Sequence, residues 1–307
     1  MVEVIEVLTK ASVFILIIIT GYLLKRVGFF ETKDFKVISK IVLNITLPCA
    51  VVSNFNKLEI DISLLFLIII GIICNFIMIG TGYLIAYKSS DNEKAFNMIN
   101  FSGYNIGCFA MPYVQNFLGP IGVVATCLFD AGNSLLCTGG TYSIASAVLK
   151  TDGKTTVKKF IKNIFYSIPL DTYVIMLIIS SLNIKLPNPI IMFTDTIGAA
   201  NGFLAMFMVG LGLELSLEKS KIGRIIKTLI IRFGISSIIA FIFFNFLPFS
   251  LEVRQVLSLI IFAPVSAISI AFTEKCNGDV GLAAAINSCS IICSIIIMTS
   301  ILLGMQI

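Results

Sequence analysis

Apolar runs about as long as a bilayer core requires, roughly 20 residues each, alternate along the chain with short charged or turn-forming breaks. Ten such runs are legible: Ile5–Leu24, Phe35–Phe55, Ser63–Tyr87, Asn97–Leu118, Ile121–Leu149, Ile164–Leu182, Pro189–Leu213, Ile222–Leu247, Val256–Thr273 and Val280–Met305. No segment alternates apolar and polar residues with period two, which excludes a membrane β-barrel. The pattern predicts an all-α polytopic membrane protein with ten transmembrane helices. The first run is followed, not preceded, by its basic pair Lys25 and Arg26, so it is expected to be a retained span and not a cleaved signal.

Two of the ten runs are not smooth. The stretch NFSGYNIGCFAMPYVQNFLGPIG, Asn100 to Gly122, carries glycines, prolines and amides where a leucine run would span more simply. Proline removes a backbone donor and glycine loosens a helix. The stretch LIIFAPVSAISIAFTEKCNGDVG, Leu259 to Gly281, is interrupted likewise. Shifting the chain by 159 residues lays the first five runs on the last five in order, Gly119 and Gly122 on Gly278 and Gly281, and Asn105 on Pro264. A five-helix repeat must invert its second copy across the membrane, and inverted repeats with interrupted helices mark secondary transporters. Broken backbone at membrane depth is tolerated only where protein or water covers it. Gly103, Asn105, Gly107 and Pro112, with Pro264 and Ser266 opposite, are therefore expected to wall a small-solute site; the plainer account is a pair of kinked packing helices.

Charge sets the orientation. Apart from Arg232 inside the eighth run, 17 Lys and Arg fall on one side of an alternating path and 4 on the other. By the positive-inside rule both termini are expected outside the cytoplasm of a multi-pass cell (plasma) membrane protein. The net charge of +5 follows from these cytoplasmic loops and calls for no nucleic-acid partner. Composition agrees: the chain is 57% hydrophobic and 13% charged, with mean hydropathy +1.01. It has no histidine, which excludes histidine metal sites and Ser/His/Asp catalysis. The eight cysteines all lie in apolar runs and form no CxxC pair, so they read as small apolar filler and not as ligands. No phosphate-cradling glycine loop and no nucleophile–base pair is present, and no enzyme, metal or organic cofactor is expected.

At the interrupted runs the sequence resembles the auxin efflux carrier family, the bacterial permeases related to plant PIN-type carriers. The resemblance rests on LNITLPCAVVSNF in run two, GYNIGCFAMP in run four, DAGN in run five, FMVGLGLEL in run seven, APVSAISIAF in run nine and NGDVGLAAAINSCS into run ten. It implies a 5+5 inverted repeat of the bile-acid-symporter/PIN-like fold, with runs four and nine crossing at their breaks. Residues 1–57 and 164–218 would form a scaffold, 58–149 and 219–307 a transport bundle moving against it as an elevator, and 150–163 a cytoplasmic linker. Family substrates are small carboxylates such as malate, malonate or auxin. By position, Asn105 would contact the substrate carboxylate, Asn133 would face the same cavity, and Pro264 and Ser266 would form the opposite crossover. A homodimer through the scaffold helices is also expected. The chain departs from the family where a proline often precedes LG in run seven; here Phe203 or a neighbour stands there.

Other polar residues inside the runs divide between chemistry and packing. Asp130, on nearly the same helical face as Asn133, reads as a coupling group for Na+ or H+, or as a buried structural hydrogen bond. Asn287, Ser288 and Ser290 offer further oxygens for such an ion, or serve close helix packing. Arg232 is a candidate counter-charge for an anion or for Asp130, or it snorkels to the cytoplasmic surface. Asn44, Ser53 and Asn54 flank Pro48, either as a kink or as a scaffold contact with substrate. The FTDT stretch around Asp195 reads as a helix cap. Beside the carboxylate carrier stand two alternatives, a sodium-coupled carrier of larger amphipathic anions and a channel or sensor.

Overall fold

The computed structural model describes residues 2–31, 33–55, 62–150, 167–182, 184–215 and 218–305. The expected linker beyond Lys150, and the start of the sixth run, lie outside the described residues. The described chain is almost wholly helical, and no strand occurs in it beyond one isolated bridge. The helices are α1 (Val2–Arg26), α2 (Asp34–Phe55), α3 (Phe66–Ile85), α4 (Asp91–Phe101), α5 (Met111–Phe117) and α6 (Gly119–Val148). They continue as α7 (Ile168–Ser181), α8 (Asn188–Gly212), α9 (Ile222–Phe246), α10 (Leu251–Ile260), α11 (Ile268–Lys275) and α12 (Val280–Met305).

Seven of these, α1, α2, α3, α6, α8, α9 and α12, are long and apolar enough to cross a membrane, and α7 is a shorter apolar helix. Runs four and nine are broken, as their glycines and prolines predict. Each is two short helices, α4 with α5 and α10 with α11, separated by non-helical residues. Both broken rods also begin earlier than the apolar pattern suggests, and by the same device. Ser90 accepts from the Glu93 amide and Ser250 from the Val253 amide, so each first half-helix starts on a serine cap among polar residues. The cap reading of Asp195 is overturned. Its helix starts at Asn188, and Asp195 lies within α8, where the Ser53 hydroxyl of α2 donates to it.

Prolines explain two local distortions. Pro48 has no N–H to give the carbonyl four residues earlier, and the turn before it, Val42–Thr46, widens to a π-turn. Pro112 stands at the same spacing after a second π-turn, Ile106–Ala110. A third π-turn, Leu136–Gly140, interrupts α6 without a proline.

Helix α1 packs along α8, while α2 lies against α7 and α8; α3 packs along α4 and α6, and α10 against α6 and α9. Two interfaces are set by reciprocal glycines. A Cβ at Gly71 or Gly132 would run into the Phe129 or Ile68 carbonyl across the α3–α6 contact, and one at Gly210 into the Ile18 carbonyl across α1–α8. Without a hydrophobic drive in lipid, such close backbone approach supplies the dispersion contact that holds helices together. Outside the rods, Asp279 caps α12 through the Leu282 amide and meets Lys221 of the α9 entry. Burial pushes the Asp279 carboxyl up, but Lys221 and that amide outweigh it and hold the group below its usual range.

Gly132→Val is expected to destabilise the protein by about 1–3 kcal/mol, the usual cost of overpacking. The measurement is the melting midpoint of detergent-solubilised protein against wild type, with Gly80, whose Cβ would meet open space, changed to Ala as the control; equal midpoints would contradict the α3–α6 approach.

Candidate functional site

The two interruptions meet. Residues 102–105 leave the helical path after α4, with Gly103 at φ +75°, a conformation that suits glycine. Residues 261–267 do so after α10. Tyr104 and Val265 form an antiparallel bridge, in which the Asn105 amide donates to the Pro264 carbonyl at 2.9 Å and the Ser266 amide to the Gly103 carbonyl at 3.3 Å. Each break thus supplies partners for the other.

Side chains from neighbouring helices satisfy most of what remains. On the first break, Asn133 of α6 accepts from the Tyr104 amide at 3.1 Å and donates to the Tyr104 carbonyl at 2.9 Å. Asn75 of α3 accepts from the Gly103 amide at 3.0 Å and donates to Asn133 at 3.0 Å. On the second break α12 plays this part. Ser290 accepts from the Val265 amide at 3.0 Å, Asn287 donates to the Val265 carbonyl at 2.7 Å, and Ser294 donates to the Phe262 carbonyl at 2.6 Å. A buried backbone group without a partner costs about 1–3 kcal/mol, so these amides and hydroxyls are the condition for breaking the rods at all.

Arg232 of α9 completes the set. It is 0% exposed, so it does not snorkel. Its guanidinium donates to the Phe101 carbonyl, to the Gly103 carbonyl at 3.0 Å and to the Ala263 carbonyl at 3.3 Å, and stacks over Tyr104 at 4.9 Å. It therefore sits at the carbonyl-bearing ends of α4 and α10 together. No described carboxylate forms an ion pair with it, Asp130 included.

Asp130 is buried a short way off. One carboxylate oxygen accepts from Asn133 at 2.8 Å and the other from the Tyr173 hydroxyl of α7 at 3.1 Å. A Cβ on Gly107 would lie 3.1 Å from Leu47 of α2 and 3.7 Å from Asp130, so α2, α6, α7 and the turn after the first break converge there. Asn105 is half-buried, and its side chain makes no hydrogen bond to any described residue. Ser266 borders a cavity of about 10 Å³, the size of one water, beside Ser102, Gly103, Cys137 and Thr141.

The structure thus brings together Asn105, Gly107, Asn133, Pro264, Ser266, Asp130 and Arg232. It divides the remaining candidates. Asn287 and Ser290 hold the second break's backbone, whereas Ser288 accepts from the Glu214 amide beyond α8, at 2.9 Å. Pro112 is buried in α5 and shapes the π-turn before it. Asn44 is exposed on the π-turn of α2 and makes no hydrogen bond to a described residue. Sequence reasoning missed Asn75, Tyr173 and Ser294. Asn75 stands alone within LIIIGIICNFIMIG, and a lone amide in so apolar a run was the available signal.

Replacing Asn133 with Leu is expected to strip two partners from Tyr104 and lower stability by about 2 kcal/mol or more. Chemical or thermal unfolding in detergent, compared with Asn133→Leu against the exposed Asn44→Leu, checks this; a larger loss from Asn44→Leu would contradict the assignment.

Comparison with known proteins agrees with this architecture. Residues 7–156 match the family model described as Membrane transport protein, and residues 202–305 match the Sodium Bile acid symporter family. An uncharacterized transporter of Methanothermobacter thermautotrophicus is 25% identical over 137 residues, covering 42% of this chain and 44% of the relative. The matched region thus spans less than half of that relative's length. The first half of the chain is thus similar to one transporter family and much of the second half to another, and its long apolar helices are those of a multi-pass membrane protein.

Proposed function

We propose that the chain is a secondary transporter of small organic anions, carboxylates such as malate, malonate or auxin-like weak acids, held beside the paired breaks. One observation carries this reading. A broken helix offers a cation-attracting carbonyl end and an anion-attracting amide end. At both breaks the carbonyl end is already met by Arg232, while Asn105, whose side chain has no partner among the described residues, stands at the amide end of the turn leading into α5 and meets the second break through Pro264. A carboxylate accepts hydrogen bonds from such a side-chain amide and gains from the helix end it caps.

In this reading residues 1–57 and 164–218 are the scaffold and 58–149 with 219–307 the moving bundle, related as a 5+5 inverted repeat across a cell membrane with both termini outside the cytoplasm. The packing of α1 and α2 on α7 and α8 supports the division. Asp130 is the coupling group for H+ or Na+. It belongs to the bundle and Tyr173 to the scaffold, so protonating or ligating the carboxylate alters a contact that must break when the bundle moves.

A second reading, a sodium-coupled carrier of larger amphipathic anions, is favoured by the match of residues 202–305 to the bile acid symporter model. Solid-supported-membrane electrophysiology of proteoliposomes separates the two. The first expects currents with small mono- and dicarboxylates, the second strict Na+ dependence with bulky substrates. Silence across the carboxylate panel counts against the first.

Asn105→Leu is expected to reduce transport by about tenfold or more, through loss of one charged hydrogen bond, with an unchanged melting midpoint. Wild-type currents in that variant refute Asn105 as the substrate contact. Asp130→Asn is expected to abolish the dependence of transport on the coupling gradient while leaving exchange of substrate for substrate; a fully gradient-driven Asp130→Asn variant removes Asp130 from that role.

A further inference from the structure

We infer that Arg232 is a built-in cation for the paired breaks, doing with a tethered guanidinium what an exchangeable metal ion does where unwound carbonyls meet helix ends. The inference stands on the geometry at the breaks and does not depend on the identity of the cargo.

Helices α4 and α10 direct their carbonyl ends at one point, and each end carries about half a negative charge. Two such ends facing each other repel unless a positive charge lies between them. The Phe101 and Ala263 carbonyls come from opposite breaks, and the Gly103 carbonyl from the centre of the bridge. One guanidinium reaches all three because its N–H groups are spread in a planar fork, which an ammonium lacks. The Tyr104 ring supplies its face as a fourth electron-rich partner.

The alternative explanation, a charge parked for an ion pair, fails for want of a partner, since no described carboxylate pairs with it. Fully buried arginine without a carboxylate is costly in a membrane. Here backbone dipoles offset that cost, and the positive charge cannot dissociate. The breaks therefore need no bound Na+ to stay joined, and any cation dependence of transport arises elsewhere, at Asp130. Arg232 is in this sense a positioning residue.

The test uses purified full-length protein, with melting followed by a thiol-reactive dye on its cysteines and transport measured in proteoliposomes. Asp130→Asn protein, which lacks the carboxylate that could bind a coupling ion, is expected to melt at the same temperature in Na+ and in choline at matched ionic strength. Arg232→Ala is expected to melt lower than wild type and to transport about tenfold less or worse. Millimolar guanidinium or methylguanidinium should restore a substantial part of both, and Na+ should not. An Asp130→Asn midpoint that rises with Na+ over choline overturns the inference, and so does an Arg232→Ala variant rescued as well by Na+ as by guanidinium. If Arg232→Ala does not fold, the cation titration of Asp130→Asn still decides. Loss of the anion-transport reading would leave both melting results intact, so the two failures are distinguishable.

Discussion

A backbone amide or carbonyl cannot be left bare in the interior of a bilayer, and the whole centre of this protein follows from that constraint. Breaking one rod there strands polar groups that water would otherwise meet. Breaking two rods at the same depth lets each serve the other, as the exchange between Asn105 and Pro264 and between Ser266 and Gly103 does. What the bridge leaves over is taken up by amides and hydroxyls of α3, α6 and α12, and by one guanidinium of α9. The polar residues of four helices are thereby committed to one small volume. That commitment fixes where those helices stand.

The close approach of α3 to α6 belongs to the same economy of space. Gly71 and Gly132 let the two backbones nearly touch, and that contact brings Asn75 within 3.0 Å of Asn133. A larger residue at either glycine would separate the amides that hold Gly103 and Tyr104. Packing of small residues and satisfaction of the break are therefore one design feature seen from two sides, and a defect in either is felt at the bridge.

How much of this was legible depended on whether the signal was local. The interruptions at Asn100–Gly122 and Leu259–Gly281 stood out because glycine, proline and amides are out of place in apolar runs, and the chain breaks its rods there. Asp195 was misread as a cap because its partner, Ser53, lies far away in sequence. Arg232 was the hardest to place. Its partners are carbonyls, which every residue has, so no complementary charge in the sequence marked them. Tyr173 looked like one more aromatic among apolar neighbours until its hydroxyl met Asp130.

The two buried charges nearest the bridge, Arg232 and Asp130, are each solvated by dipoles and not by each other. This separation has a mechanical consequence. Were they an ion pair, neutralising Asp130 would leave the arginine uncompensated, at a cost of several kcal/mol, and would disturb the breaks. With Arg232 held by three carbonyls and Asp130 by Asn133 and Tyr173, the carboxylate is free to change its charge while the bridge keeps its shape. Asn133 touches both systems, donating to Asp130 and to Tyr104, and is, among the described residues, the side chain that hydrogen-bonds both the carboxylate and the break. A fixed charge that maintains the architecture, beside a variable one that is wired to it by a single amide, is an arrangement suited to a site that must report its occupancy without falling apart.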